Sequence, residues 1–149
     1  MIKLILLDVD GTLTDGGIYL GNSSEELKKF NVKDGYAIVN AQKLGIEFGI
    51  ITGAKSELVS KRAERLKIKY LYQDISEKTV ILDEIMQVTG LQKEEIAYMG
   101  DDLNDIKIMK KVGFSGTPLD GVNEAKIIAD FVSTKNGGEG AVREFIETI

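Results

Sequence analysis

The chain begins with a short apolar segment that ends in two carboxylates and a glycine. Residues 2–7 are apolar apart from Lys3, and Asp8, Asp10 and Gly11 follow. Such a run is typical of a strand buried on both faces of a parallel sheet. Because one residue separates the acids, an extended backbone directs both carboxylates to the same side, and Gly11 lets the chain turn away. Two carboxylates this close disfavour each other's ionisation unless a cation separates them, so the segment predicts a divalent-metal site. An ordinary acidic turn is the alternative.

The composition limits the chemistry that the chain can use. It has no cysteine and no histidine, which excludes thiolate catalysis, a cysteine zinc site and an imidazole base. Its 149 residues predict a single domain, residues 1–149, with its own core. The net charge of -5, without a run of Lys or Arg, argues against nucleic acid and anionic membranes as partners. No segment resembles a signal peptide or a membrane span, which predicts a cytoplasmic protein.

Strand and helix patterns alternate along the chain after the first strand. Short apolar runs predict further strands at 47–51, 69–72, 96–99, 112–116 and 130–132, with amphipathic helices between them. This alternation predicts an α/β fold with a doubly wound, mainly parallel sheet that helices cover on both faces. In such sheets ligands bind beyond the carboxyl ends of the strands.

Capping residues predict where the helices begin and end. The first helix is predicted to begin at Asp34-Gly35 and to end at Gly45, and Ser76 is predicted to cap the third. The third helix is predicted to bury one stripe of its surface, formed by Val80, Ile81, Ile85 and Met86.

Two segments outside the alternating pattern are predicted to lie near the edge of the fold. Apolar runs at 18–20 and 27–32 flank a polar tip, which predicts a β-hairpin flap at about residues 16–33. An isolated hairpin is marginal in water, so its apolar residues pack either on a neighbouring subunit or on the chain's own core. The Gly-Gly-Glu-Gly sequence at 137–140 predicts a flexible joint in a C-terminal tail of about residues 136–149.

Polar residues stand at the ends of three predicted strands. Asp8 and Asp10 follow the first strand, and Thr52 follows the strand 47–51. The segment GDDLND (100–105) follows the strand 96–99. Their convergence at one sheet edge favours a functional site over an acidic turn. Asp8, Asp10 and Asp101 together offer oxygen ligands only, which suits Mg²⁺.

Two further residues are candidates for binding a phosphate. Thr52 offers a hydroxyl close to the amides of a helix start, although a plain N-cap is the alternative. Lys78 lies in the first turn of its predicted helix, where the helix dipole disfavours a cation, and a bound anion would remove this conflict. A solvent-exposed lysine is the alternative. Phosphoryl transfer to a carboxylate nucleophile, with a second acid moving protons, would use each of these groups.

The motifs DVDGTLTDG, ITG, a lone lysine and GDDLND, in this order, resemble the four motifs of the haloacid dehalogenase-like phosphatases. The resemblance implies that Asp8 is the nucleophile. It implies that Asp10 is the general acid and base, and a metal ligand through its backbone carbonyl. The other implied roles are phosphate binding (Thr52, Lys78), Mg²⁺ binding (Asp8, Asp101) and support of these groups (Asp102, Asp105).

The resemblance extends to the small phosphatases of 2-keto-3-deoxy sugar acids through the segments 30–35, ITGAKS and GGEGAVREF. That branch acts on octulosonate 8-phosphate or on nonulosonate 9-phosphates. It implies a small sugar acid phosphate as substrate, no cap domain, and work beside a cytidylyltransferase in surface-glycan synthesis. It also implies a homotetramer in which neighbouring hairpins and C-terminal tails help to close each site, with Gly138 and Arg143 in the tail.

One position departs from the pattern of that branch. Ala54 follows the ITG motif, where octulosonate enzymes usually carry Arg and some nonulosonate enzymes carry Glu. The length of the sugar therefore stays open, although GDDLND is slightly closer to the nine-carbon enzymes. Lys55, Arg62 and Arg65 are candidates for contact with the substrate carboxylate, and a solvated helix face is the alternative.

Other function classes remain open at this point. A broad-specificity phosphatase for nucleotides or protein-bound phosphate fits an open site. A phosphoacceptor signalling domain uses similar residues, but it carries its phosphorylated Asp at the end of a middle strand, where the strand 47–51 is followed by Thr52. A non-catalytic binding module is a third alternative, which the intact set of motifs disfavours.

Overall fold

The computed structural model describes residues 1–149 as a six-stranded sheet with helices on both faces, plus a small hairpin. None of the helices combines the length and apolar character that a membrane crossing requires. The strands are β1 (Leu4–Leu7), β2 (Tyr19–Leu20), β3 (Glu26–Leu27), β4 (Glu47–Ile51), β5 (Tyr70–Tyr72), β6 (Ile96–Met99), β7 (Phe114–Thr117) and β8 (Phe131–Val132). The α-helices are α1 (Val32–Lys43), α2 (Glu57–Arg65), α3 (Lys78–Thr89), α4 (Ile106–Lys111), α5 (Asn123–Ile128) and α6 (Ala141–Glu147).

The order of the strands creates a crevice beside β1. The main sheet runs β5-β4-β1-β6-β7-β8, and all of its pairings are parallel. The chain builds outward from β1 through β4 to β5 and then returns to β6 on the other side of β1. Ligands bind at such a switch point, beyond the carboxyl ends of the strands. The predicted α/β class and doubly wound parallel sheet are therefore confirmed.

The central strand β1 divides the core into two layers. Ile5 and Leu7 belong to the cluster of buried side chains on one face, and Leu4 and Leu6 belong to the cluster on the other. All four are fully buried, because helices cover both faces of the sheet. This explains why the first strand has an unbroken apolar run and no alternating pattern.

Three predicted helix features are wrong by one or two residues. α1 begins at Val32 because the Asn31 side chain accepts hydrogen bonds from the amides of Lys33 and Asp34. α3 begins at Lys78, so Glu77 and not Ser76 precedes its first turn. Within α3, Val80 is exposed and Leu82 is buried, since the buried stripe is shifted around the helix.

The hairpin projects its apolar side chains into solvent. β2 and β3 pair over two residues each, and the second strand ends at Leu27, well short of the predicted 27–32. Ile18, Leu20 and Leu27 are exposed, Ile18 to 83% of its surface. Packing of these residues on the chain's own core is therefore wrong, while Phe30 is half-buried and bridges to Thr14.

The predicted flexible joint before α6 is instead packed against the loop that follows β1. The amide of Gly138 donates to the carbonyl of Thr12 at 3.1 Å. A Cβ on Gly137 would lie 1.8 Å from the carbonyl oxygen of Gly11, so only glycine allows this approach. α6 then buries Ala141, Val142 and Phe145 in the core. The segment 137–140 therefore supports the loop after β1, and the prediction of a flexible joint is wrong.

Candidate active site

The carboxyl ends of three strands bring the predicted site residues to one crevice. Asp8 follows β1, Thr52 follows β4 and Asp101 follows β6. Gly11 adopts a φ of 90°, and a Cβ there would lie 2.1 Å from a carboxylate oxygen of Asp101. Glycine at this position therefore allows both the left-handed turn and the close approach of the two loops.

Three carboxyl groups lie close together in the crevice. Asp8, Asp101 and Asp105 each offer one oxygen within 4.8 Å of the others. Burial, together with nearby Asp105, raises the pKa of Asp8, and burial together with Asp8 raises the pKa of Asp101 to about 9. At this separation a proton or a cation between Asp8 and Asp101 would stabilise the pair.

The donor set fits a magnesium ion held by Asp8 and Asp101. Both offer hard oxygen ligands, and a divalent cation would remove their mutual repulsion. Asp105 does not fit as a ligand because donors already occupy its oxygens: the amides of Asp101 at 2.9 Å and Asp102 at 3.1 Å, Lys78 Nζ at 2.7 Å, and the hydroxyl of Tyr98.

Lys78 is a buried cation between two carboxylates. Its Nζ lies 2.8 Å from Asp8 Oδ1 and 2.7 Å from Asp105 Oδ1, and 3.0 Å from the Tyr98 hydroxyl. Burial opposes the charge, but Asp8 and Asp105 together keep the pKa of Lys78 above its usual value. The alternative of a solvent-exposed lysine is therefore wrong. As the first residue of α3, Lys78 also brings the helix start to the crevice.

Thr52 is buried at the end of β4, and its amide donates to the carbonyl of Tyr72 at 3.0 Å. Its alternative role as an N-cap is wrong, because Ser56 caps α2 by accepting from the amide of Leu58. The Thr52 side chain therefore has no capping role. Thr52 follows β4, which is the neighbour in the sheet of β1, the strand that Asp8 follows.

Asp10 lies outside the three-carboxyl cluster. The strand pattern predicts that Asp8 and Asp10 face the same side, but β1 ends at Leu7 and a turn begins at Val9, whose carbonyl accepts the amide of Thr12. The expectation from an extended backbone therefore does not apply to these two residues. Asp10 Oδ1 instead accepts a hydrogen bond from Lys28 Nζ at 2.7 Å.

The two other acids of GDDLND have different positions. Asp105 is fully buried within the cluster, as its predicted supporting role requires. Asp102 is exposed, and its carboxylate accepts from the amide of Leu103 at 2.7 Å at the start of a short 3₁₀ turn. Asp102 therefore caps the loop, and the prediction that it supports the cluster through its side chain is wrong.

Tyr98, Thr12 and Lys28 belong to the site but were missed from the sequence. Tyr98 is buried on β6 and donates to Asp105. The Thr12 hydroxyl donates to Asp101 Oδ1 at 3.1 Å. A polar hydroxyl inside an apolar strand was a usable signal for Tyr98, whereas nothing local to the hairpin indicated Lys28.

The arginines of α2 lie against α1 within the chain. Arg62 Nη2 donates to the carbonyl of Asn31 at 3.3 Å, and its guanidinium lies 5.5 Å from the ring centre of Phe30. Arg65 is exposed on the same helix. These contacts direct Arg62 toward α1, and contact of Arg62 or Arg65 with the substrate stays a prediction.

The remaining candidates for contact with the substrate fall into two groups. Lys55 is exposed in the loop after Thr52, on the crevice side of the sheet. Gly138 packs on the loop after β1, and Arg143 Nε pairs with Glu147 at 2.9 Å along α6. The structure brings neither Gly138 nor Arg143 to the acidic cluster of the same chain, and their place in a tail that closes a neighbouring subunit's site stays a prediction.

The fold and the site define a metal-dependent hydrolase of the doubly wound α/β class. Residues 70–146 match the model of the haloacid dehalogenase-like hydrolases. The chain is 45% identical over 148 residues to the 3-deoxy-D-manno-octulosonate 8-phosphate phosphatase KdsC of Escherichia coli (strain K12), a match that covers 99% of this chain and 79% of the relative. The chain therefore belongs to the haloacid dehalogenase-like hydrolase family.

Two solved structures are similar over nearly the whole chain. The 3-deoxy-D-manno-octulosonate 8-phosphate phosphatase of Yersinia pestis is 43% identical with a TM-score of 0.96, covering 98% of this chain and 79% of the other. The enzyme of that name from Moraxella catarrhalis, in complex with magnesium, phosphate and KDO, is 37% identical with a TM-score of 0.96, covering 99% and 84%. The predicted family, the phosphatase class and the magnesium cofactor are therefore confirmed.

Proposed function

We propose that this enzyme hydrolyses the phosphate monoester of a 2-keto-3-deoxy sugar acid, with 3-deoxy-D-manno-octulosonate 8-phosphate as the first candidate. The names of the similar enzymes and the KDO bound in the Moraxella structure support this substrate. The observation that carries the chemistry is the buried contact of Lys78 with Asp8, 2.8 Å long, beside Asp101.

Asp8 is the proposed nucleophile. Its carboxylate lies at the base of the crevice, with Oδ1 held by Lys78. One Asp8 oxygen forms a bond to phosphorus while the bond from phosphorus to the sugar oxygen breaks, and Asp10 gives that oxygen a proton. Lys78 and Thr52 hold the phosphate oxygens. A magnesium ion held by Asp8 and Asp101 would neutralise charge on the phosphate.

The aspartyl-phosphate is then hydrolysed. Asp10, now a carboxylate, takes a proton from water as the water oxygen bonds to phosphorus, and the bond from phosphorus to Asp8 breaks. Asp105 supports both steps without reacting, because it holds Lys78 and the amides of Asp101 and Asp102. A fixed set of donors at the phosphate lowers the cost of reorganisation during the reaction.

The nine-carbon nonulosonate 9-phosphates are a second candidate class. The observation that favours them is Ala54, which is exposed in the loop after Thr52 and supplies no charged group there. A smaller side chain leaves room for a longer sugar. A broad-specificity phosphatase remains the alternative to both.

The proposed assembly is a homotetramer. The exposed apolar side chains of the hairpin, Ile18 and Leu20, support burial against a second copy of the chain. In such an assembly Arg62, Arg65 and Arg143 are candidates for contact with a neighbouring subunit's substrate. The cytoplasmic location stays a prediction.

Phosphate release in the presence of Mg²⁺ tests this proposal. The substrates are octulosonate 8-phosphate, two nonulosonate 9-phosphates and a nucleotide monophosphate, with Asp8→Asn as the control. We expect the highest kcat/KM on octulosonate 8-phosphate and a loss of at least about 10³-fold in Asp8→Asn, as for removal of a covalent nucleophile. Equal turnover of all substrates would favour the broad-specificity enzyme. Activity that survives in Asp8→Asn would contradict the aspartyl-phosphate mechanism.

A further inference from the structure

Lys28, just after β3, connects the hairpin to the reaction site. Its Nζ lies 2.7 Å from Asp10 Oδ1 and 3.0 Å from Glu26 Oε1. Lysines on a projecting hairpin are usually solvated, because a long flexible side chain loses entropy when it is fixed. The Lys28 side chain is nevertheless only 9% exposed. The hairpin therefore holds this ammonium group over Asp10.

The next residue provides a direct comparison. Lys29 is 54% exposed and pairs with Glu139 at 2.9 Å, on the segment between β8 and α6. Both lysines make a short contact with a carboxylate outside the hairpin, Lys28 with Asp10 and Lys29 with Glu139. Only Lys28 contacts a residue with a proposed part in the reaction, and only Lys28 is shielded from water.

Asp10 needs such a partner because its surroundings do little to fix it. Its side chain is 44% exposed, and it lies in the turn after β1, outside the buried cluster. Lys28 binds Oδ1 and leaves Oδ2 available to exchange a proton. A general acid must lie within hydrogen-bond distance of the leaving oxygen, and small errors in its position cost much of the rate.

We propose that Lys28 is a positioning residue that orients Asp10 for proton transfer, an inference that rests on the proposed function. While Lys28 holds Oδ1, Oδ2 gives its proton to the sugar oxygen as the bond from phosphorus to that oxygen breaks. Oδ2 then takes a proton from the attacking water as the bond from phosphorus to Asp8 breaks. Lys28 itself gains and loses no proton.

This role predicts a dependence on the leaving group. A sugar alkoxide is a poor leaving group and needs the proton from Asp10, whereas the phenolate of p-nitrophenyl phosphate leaves without one. The value of kcat/KM reports the steps through loss of the leaving group. Misplacement of Asp10 should therefore lower kcat/KM for the sugar phosphate and spare kcat/KM for the aryl phosphate.

The experiment compares Lys28→Met with Lys28→Arg and the matched control Lys29→Met, on octulosonate 8-phosphate and p-nitrophenyl phosphate with Mg²⁺. We expect Lys28→Met to lower kcat/KM for the sugar phosphate about 10-fold or more, and for the aryl phosphate less than about 2-fold, since general acid catalysis contributes about 10²–10⁴-fold. Lys28→Arg should recover part of the loss, and Lys29→Met should match the unchanged enzyme on both substrates.

Different failures have different meanings. An equal loss on both substrates would make Lys28 merely structural, and a rise in KM with unchanged kcat would make it a substrate-binding residue; either result overturns the inference. If the wild-type enzyme hydrolyses neither substrate, the proposed function fails, and the proton-transfer role of Lys28 fails with it.

A measurement without turnover tests the contact itself. Amine acetylation, quantified by peptide mass spectrometry, should modify Lys28 more slowly than Lys29. Asp10→Asn should raise the Lys28 rate several-fold and leave the Lys29 rate unchanged, because it removes the carboxylate that holds only Lys28. An unchanged Lys28 rate in Asp10→Asn overturns the proposal whatever the activity.

Discussion

The two sides of the site hold their charges in different ways. On the buried side, Lys78 bonds to three groups at 2.7–3.0 Å, and Asp105 is fully buried with four donors. On the hairpin side, Asp10 is half-exposed and has one such partner, Lys28. We call these the buried side (Asp8, Lys78, Tyr98, Asp105) and the hairpin side (Asp10, Glu26, Lys28).

This difference follows from the cost of burying charge. A charged group removed from water is tolerated only with close partners, so losing one partner is strongly destabilising. An exposed pair gains little because water screens it and its side chains lose entropy. The phosphate end of the site is therefore fixed by many buried contacts before substrate arrives, whereas at the sugar end the half-exposed Asp10 depends on Lys28 alone.

The largest effect should come from removing the cation of the buried side. Lys78→Met leaves the carboxylates of Asp8 and Asp105 buried without it, which should lower the free energy of unfolding by about 3–5 kcal/mol. Urea unfolding measures this loss. The control is Lys107→Met, because Lys107 is exposed and lies 3.9 Å from Glu77. A loss below about 1 kcal/mol in Lys78→Met would contradict the account of the buried side.

Asp34 shows what burial does to a carboxyl group that has few hydrogen-bond donors. It is as buried as Asp105 but has fewer donors. Its Oδ1 accepts from the amide of Arg143 at 2.9 Å, while its Oδ2 has no hydrogen-bond partner. Burial raises the pKa of Asp34 from 3.8 to about 6, although nearby backbone amides and arginines oppose the shift. Between these two pKa values, Asp34 therefore holds a proton in the folded chain and releases it in the unfolded chain.

The sign of the pH dependence follows from this shift. Stability from the Asp34 proton is fully present below about pH 4 and is lost as the pH rises through about 6, a loss of about 2–3 kcal/mol. Asp34→Asn should flatten this part of the profile when urea unfolding is measured at several pH values. A profile as steep as that of the unchanged chain would show that another group titrates.

Most of the fold was predictable because the signals were local. The unbroken apolar run of β1 indicated a strand covered on both faces, and the alternation of strands with helices indicated the parallel sheet. Asp8, Asp101 and Lys78 were found for a related reason: strand ends and helix starts meet at one edge of such a sheet. Topology alone then brings residues that are distant in sequence into contact.

The missed features depend on contacts between distant segments. Lys28 meets Asp10 only because the hairpin folds over the loop after β1, and the glycines at 137 and 138 are held by Gly11 and Thr12. A glycine-rich segment indicates flexibility when read alone, yet here its missing side chains permit close packing. Asp102 was misassigned because a capping acid and a site acid look the same in the sequence.

A smaller effect should come from the neutral member of the buried side. Tyr98→Phe removes one hydroxyl and leaves Asp105 with three other donors and Lys78 with two carboxylates. We expect a loss of about 1.5–2 kcal/mol in the free energy of unfolding, the lower part of the range for a hydrogen bond to a charged group, because the other donors remain. Tyr72→Phe is the control, because Tyr72 on β5 is only half-buried. A loss as large as that of Lys78→Met would mean that the hydroxyl, not the charge, organises the buried side.

The smallest effect should come from an exposed ion pair beside the hairpin side. Glu139→Gln removes the 2.9 Å contact with Lys29, whose two side chains are about half-exposed. Pairs of this kind contribute about 0.2–1 kcal/mol and weaken with salt. We expect a change in unfolding free energy below about 0.5 kcal/mol at low salt, and none above about 0.5 M salt, because the pair is screened by then. If Glu139→Gln instead costs as much as Tyr98→Phe, and does so at every salt concentration, then the hairpin is fixed as firmly as the buried side. In that case the sugar end of the site is as rigid as the phosphate end, and substrate selection would rest on shape and not on rearrangement of the hairpin.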